Sequence, residues 1–309
     1  MAVTTSKQYP SSLPVRANGR MAPSAVAPPG PKPPTIDEAL RTLRSLPPLS
    51  LVATYLLQQV SQENIAFKKV ADVIRTDAPL SADTLRIANS ALIGPRFPVT
   101  GVLHALAMLG LNRVRSLVTT AALKNLIGPA DATPALRRCW RHNLACAFLA
   151  EETATKCDLD RDYAYTGGLL HDIGRLVMMS AWRARYSEFL DAAKPGGADA
   201  LLPLERQDFG IPHTRAGFAL LRDWKLPPVF AEIADRHHDP SAPGAQDVLA
   251  VVQFSCSFAD TLGFSAIDQP TAEQEPTPPL PLRQLIPGTL DEIYARIGER
   301  INALECCLG

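Results

Sequence analysis

The sequence has no surplus of either charge: 31 Lys and Arg stand against 31 Asp and Glu. A net charge near zero gives no long-range attraction to nucleic acid or to an anionic membrane surface. It also lacks any apolar run near the roughly 18 residues that span a bilayer, and its N-terminus has no compact apolar core of a signal peptide. These absences predict a soluble, cytoplasmic chain with no membrane partner. No CxxC pair occurs among Cys139, Cys146, Cys157, Cys256, Cys306 and Cys307. That spacing argues against a disulfide framework or a zinc knuckle, and thiols in apolar helical surroundings read as small hydrophobes. The adjacent Cys306 and Cys307 read as a frayed helix end. Strand-like alternation of apolar and polar residues is almost absent, and no internal repeat is visible.

What is present is helical. Apolar residues make up 46% of the 309, enough for one large core or two ordinary ones. Residues 1–34, ending "MAPSAVAPPGPKPP", are rich in Pro, Ala and Ser with no acidic residue before Asp37. Such a stretch buries too little apolar area to offset its ordering entropy and reads as a disordered tail. In "LPPLSLVATYLLQQV", Pro47 and Pro48 suit a first helical turn, and Leu51, Tyr55, Leu56 and Val60 recur at helical period. Short helices separated by Pro, Gly or Asn breaks continue to residue 128. After the turn-rich "GPADATP" the pattern resumes in "ALRRCWRHNLACAFLAEETATKC", "YAYTGGLLHDIGRLVMM" and further segments. The expected fold is all-α, a multi-helix bundle of two packed lobes: residues 35–128 and 129–264, followed by a Pro-rich loop and a C-terminal helix over 265–309. The first lobe is expected to pack against the second.

Polar residues interrupt the apolar faces of the second lobe. His142 follows Trp140; His171 and Asp172 break an apolar segment; His213, the pair His237 and His238, and Asp260 lie on later helices. Imidazoles and carboxylates converging from several helices are what a bundle needs to hold one or two divalent metals. Neighbours on one helix point about 100° apart, so His171 and Asp172 could flank a metal or bridge two. Each has a plainer explanation. A lone buried His is satisfied by ordinary hydrogen bonds, a helix C-terminus favours His237 and His238, and Asp260 could cap or face water. His104, in "GVLHALAM", takes the plain reading. The set as a whole does not, because five of the six histidines fall in one half of the chain.

At "GGLLHDIGRL" the sequence resembles the HD superfamily of metal-dependent phosphohydrolases. From about Ser45 to Leu262 it is similar to the HDOD branch, the HD-related output domain. "LPPLSLVATYLLQQV", "VADVIRTDAPLSADTLRIANSALIG" and "ALAMLGLNRVRSLV" carry that branch assignment. The resemblance implies metal ligands at His142, His171, Asp172, His213, His237 or His238, and Asp260, with Fe, Mn, Zn or Mg as the divalent ion. In active relatives, metal-activated water attacks phosphorus. Departures are equally specific. "HHDPSAPG" lacks the Gly-Tyr-Pro signature of the cyclic-di-GMP phosphodiesterases, Arg175 stands where a phosphate-contacting Lys is usual, and Arg138 occupies a position one turn before His142 where a carboxylate could ligate.

The leading expectation is therefore a signalling output module without catalysis, carrying a structural or sensory metal site and recognising a partner protein or nucleotide. The alternative is a metal-dependent phosphohydrolase acting on a nucleotide or phosphoester. Direct nucleic-acid binding through Arg113, Arg115 and Lys124 is disfavoured, since such charges more often form a solvated face. No separate sensor or receiver segment is apparent, so input is expected through another chain or a ligand.

Overall fold

A computed structural model describes residues 33–59, 66–128, 133–193, 200–240, 247–267 and 283–308. The expected tail falls almost wholly, and most of the Pro-rich loop falls, outside the described residues. Within them there are helices and turns and no strand, and no helix is long and apolar enough to cross a membrane.

The first helices are α1 (Ile36–Arg44), α2 (Leu51–Gln58), α3 (Phe67–Arg75), α4 (Ala78–Ala88), α5 (Val102–Leu109) and α6 (Leu111–Ile127). Local chemistry sets several of their starts. Thr35 and Glu38 form a reciprocal capping box ahead of α1, and Asp77 caps α4 through the Leu80 amide with Pro79 in the first turn. Pro47 and Pro48 precede α2 instead of opening it. The helix starts only after Ser50; Leu46 and Pro47 each precede a proline, which disfavours helical geometry at those two positions.

The later helices are α7 (Pro134–Lys156), α8 (Arg161–Leu170), α9 (Ile173–Ala181), α10 (Arg183–Ala192), α11 (Leu201–Phe209), α12 (His213–Asp223), α13 (Pro228–Arg236), α14 (Val248–Thr261) and α15 (Leu290–Leu308). The long α7, capped by Thr133, is the spine: α8, α14 and α15 all pack on it. Its Ala147, Phe148, Leu149 and Ala150 are wholly buried. The described residues from 33 onward form one compact unit. α6 packs against α8, whereas α1 lies on α9 and α12, tied there by the Arg44–Asp223 ion pair.

Two close backbone crossings depend on glycine. A Cβ at Gly168 would meet Cys146 O at 2.7 Å and Ala147 N at 2.9 Å, so this glycine lets α8 lie against α7. Gly174 does the same for α9 on α12, facing Gly217. These crossings fix how far apart the polar residues of the second lobe can be.

The charges of α6 turn inward, not toward solvent as their sequence pattern suggests. Arg113 pairs with Glu151 at 2.6 Å, Arg115 is buried with hydrogen bonds to Asn112 and Gln59 O, and Lys124 donates to Leu308 O. α7 absorbs Arg113, α15 absorbs Lys124, and Arg115 is held by α6 itself and by the residue that ends α2. Glu151 also pairs with Arg300 of α15. Its side chain is 8% exposed, against 11% for Arg113 and 20% for Arg300. Glu151→Ala leaves Arg113 only Asp162 at 3.6 Å and Arg300 only Glu152 at 3.1 Å, and is expected to cost about 1–2 kcal/mol, below the loss at a fully enclosed pair. Urea unfolding measures it; an unchanged midpoint would mean that the network only decorates the surface.

Candidate metal centre

The His171–Asp172 doublet does not lie on a continuous helix. α8 ends at Leu170 and α9 begins at Ile173, with Asp172 at φ −108° and ψ 26°. The break has a local cause. The His171 ring places Nδ1 2.7 Å from Gly168 O, capping one of the last carbonyls of α8. His237 repeats the device at the end of α13, with Nδ1 3.0 Å from Ala234 O. A carbonyl can only accept, so both rings carry their proton on Nδ1 and turn a bare Nε2 into the site. The plain capping explanation and the functional one thus coincide, because the cap fixes the tautomer.

Elsewhere the same arrangement is built from other partners. His142 on α7 has Nδ1 2.8 Å from Phe264 O and 3.4 Å from Asp260 Oδ1. His213, the first residue of α12, has Nδ1 2.7 Å from Glu205 Oε2. Its backbone N–H donates to the same oxygen at 2.8 Å. Ring contacts then chain these imidazoles together. His142 Nε2 faces His171 Nε2 at 3.2 Å, the His171 and His237 centroids are 4.9 Å apart, and His213 Nε2 faces His238 Nε2 at 3.1 Å.

Two groups of convergent donors result: His142, Cys146, His171 and Cys256; and His213, His237 and His238. Asp172 lies against the second, with Oδ1 3.5 Å from His213 Nε2 and Oδ2 in an ion pair 2.7 Å from Arg175 Nε. Asp260 stands behind His142, on its Nδ1 side, where it orients the ring instead of joining the Nε2 cluster. All seven residues singled out in the sequence therefore come together, but not in equivalent positions. Arg138 is directed away into an ion pair with Asp191. His104 accepts from the Thr100 amide in a local contact.

Three contributors escape a sequence-only reading, and a fourth, Arg175, is seen there without its role. Cys146 and Cys256 are not simple core fillers: each sulfur is 3.6 Å from His142 Nε2. The available signal was their spacing, since His142 and Cys146 on α7, and Cys256 and Asp260 on α14, are i and i+4 neighbours on one helix face. Glu205 had no such signal, and for Arg175 the sequence marked the position but not its pairing with Asp172. Glu205 is wholly buried and accepts from Tyr186 OH at 2.6 Å and from His213. Arg175, its side chain 2% exposed, lies between Asp172 and Glu205.

The electrostatics divide the strip. Hydrogen bonding from Cys146 holds the Cys256 thiol well below its ordinary value; the His171 and His142 rings assist against the effect of burial. Burial opposes charge on His142, yet Cys256 and Asp260 outweigh it and push the ring up to about 10. A proton thus satisfies the His142–His171 contact when no ion does. In the other half, burial and neighbouring imidazoles push His237 well down, and burial, with His213 and Arg175, brings His238 down to about 3. Those rings stay neutral, and His237 Nε2 is buried with no hydrogen-bond partner. An orphaned imidazole lone pair beside a carboxylate fits a divalent cation.

A family model described as the HDOD domain matches residues 46–240. An uncharacterized protein of Treponema pallidum (strain Nichols) is 25% identical over 204 residues, covering 64% of this chain and 39% of that protein. The chain thus spans about two fifths of that relative's length. A Shewanella amazonensis SB2B structure provisionally named a phosphohydrolase aligns with TM-score 0.64 and 22% identity, over 88% of this chain and 98% of that one. A structure from Marinobacter aquaeolei VT8, provisionally named a signal transduction protein, aligns with TM-score 0.60 and 17% identity, over 89% of this chain and 60% of that one. At such identities the two structures share the fold.

Proposed function

Because the chain belongs to the HDOD family, we propose that it is a regulatory output module of signal transduction whose metal-holding strip serves binding and not turnover. The strip comprises His142, His171, Asp172, His213, His237 and His238, with Asp260 orienting His142. Its input or output passes through a partner protein or a nucleotide. The relative named for signal transduction supports that setting.

The observation that carries this reading is enclosure by the chain's own cation. A hydrolytic centre needs an open position for water and substrate phosphate beside its metal. Here the Arg175 guanidinium pairs with Asp172 Oδ2 at 2.7 Å, neutralises the carboxylate, and also faces Glu205 at 3.6 Å. His142, His171, Asp172, His213 and His237 are each at most 3% exposed. Only His238, half-buried, and Asp260, with 35% of its side chain exposed, reach the rim.

One observation favours the alternative, a metal-dependent phosphohydrolase. His213, His237, His238 and Asp172 form a three-imidazole, one-carboxylate set of the type that holds Fe, Mn or Zn. A divalent ion there supplies Lewis-acid chemistry toward a phosphoester. This chain's contribution would be to orient His213 through Glu205 and to draw Arg175 off Asp172 onto the phosphate.

The test pairs binding with turnover. Added manganese, iron or zinc is expected to raise the melting temperature of the full chain; saturation a hundredfold above Kd corresponds to about 2.7 kcal/mol. Cyclic-di-GMP and a generic phosphodiester should remain intact under the same conditions. Linearisation of the dinucleotide at an enzymatic rate, abolished by Asp172→Ala, would replace this reading with the hydrolase.

A further inference from the structure

We propose that His142, Cys146, His171 and Cys256 form a closed tetrahedral site for one zinc ion, distinct in ligand chemistry from the His213 half of the strip. The proposal rests on the metal-binding part of the reading above but not on whether the module is catalytic.

Spacing carries the argument. A tetrahedral zinc with bonds of about 2.0–2.1 Å to nitrogen and about 2.3 Å to sulfur implies ligand separations of about 3.3 Å between nitrogens and about 3.6 Å between nitrogen and sulfur. The observed separations are 3.2 Å for His142 Nε2 to His171 Nε2, and 3.6 Å from His142 Nε2 to each of the two sulfurs. All four donor atoms lie within 4.8 Å of one another. Packing alone does not explain the first contact. Both rings commit Nδ1 to an oxygen acceptor, so two bare Nε2 lone pairs point at each other, a repulsive arrangement unless a cation or proton lies between them.

Ligand type narrows the ion. Two thiolates with two imidazoles select zinc over magnesium or manganese, which prefer oxygen. The outer shell of both imidazoles is also in place: Phe264 O and Asp260 sit behind His142, and Gly168 O behind His171. All four ligands are at most 5% exposed. With four protein donors no position is left for water or substrate, so zinc here clamps α7, the α8–α9 junction and α14 together. It also removes His142 and His171 from any hydrolytic pair of ions.

Full-length protein purified without chelator is expected to retain one zinc ion per chain through dialysis. Cobalt(II) exchanged into that protein should give a thiolate-to-cobalt charge-transfer band. The band should persist in the His213→Ala/His238→Ala double variant and disappear in Cys146→Ser/Cys256→Ser. Each single Cys→Ser change should weaken zinc by more than the about 10–100-fold that loss of an outer-shell partner costs. The wild-type cobalt spectrum decides the matter even if a variant fails to fold. Retained metal with no thiolate band overturns the zinc site while leaving the metal-binding strip standing. No retained or exchangeable metal overturns both.

Discussion

Gly174→Ala is expected to destabilise the protein by at least about 3 kcal/mol, a fall of at least about 5 °C in melting temperature for a chain of this size. A Cβ at this position would lie 1.8 Å from His213 O, 2.6 Å from His213 C and 3.0 Å from Gly217 N. All three are backbone atoms, so no rotamer change relieves the clash. α9 and α12 would have to move apart, carrying Asp172 away from His213. The matched control is Gly298→Ala on α15, where the nearest atom is Phe264 Cζ at 3.8 Å. There the added methyl meets ordinary contact in a helix interior, and a gain of up to about 1 kcal/mol is expected. Urea denaturation of both variants should therefore show opposite signs. Gly174→Ala at wild-type stability would mean that the two helices do not approach as closely as described.

The second large effect is at Glu205. Burial alone would raise its carboxyl; contacts with the His213 ring, Arg175 and the Tyr186 hydroxyl outweigh that and bring it down to about 2, from an ordinary 4.5. The folded state thus favours the ionised form. Its stabilising contribution is complete above about pH 4.5 and is lost as pH falls toward 2. A difference of about 2.5 units corresponds to roughly 3 kcal/mol. Glu205→Gln removes the charge, leaves Arg175 without its second carboxylate and replaces one acceptor oxygen with an amide donor. It should lose about 3 kcal/mol at neutral pH, with the gap to wild type narrowing below about pH 4.5. A gap of equal size at about pH 3 and about pH 7 would contradict the assignment.

The sequence by itself determined the all-α class, the position of most helices and the seven polar residues of the second lobe. Periodicity, caps and turn residues are local and act within a few positions of the chain. It also placed His142 and Cys146, and Cys256 and Asp260, one helical turn apart, a spacing that becomes informative only once α7, α14 and the α8–α9 junction are known to meet. Tertiary structure decided which nitrogen of His142 faces inward, because its acceptor is distant in sequence: Phe264 O lies 122 residues away, whereas the acceptors of His171 and His237 are carbonyls only three residues back. It decided that two cysteines in apolar segments are potential ligands, that Asp260 supports His142 from behind, and that Arg175 closes over Asp172. It also turned Arg113, Arg115 and Lys124 inward, since α7, Gln59 at the end of α2, and α15 respectively supply partners that no helical wheel of α6 contains. Local pattern sets which atoms are available; the packing of backbones at Gly168 and Gly174 sets which of them can meet.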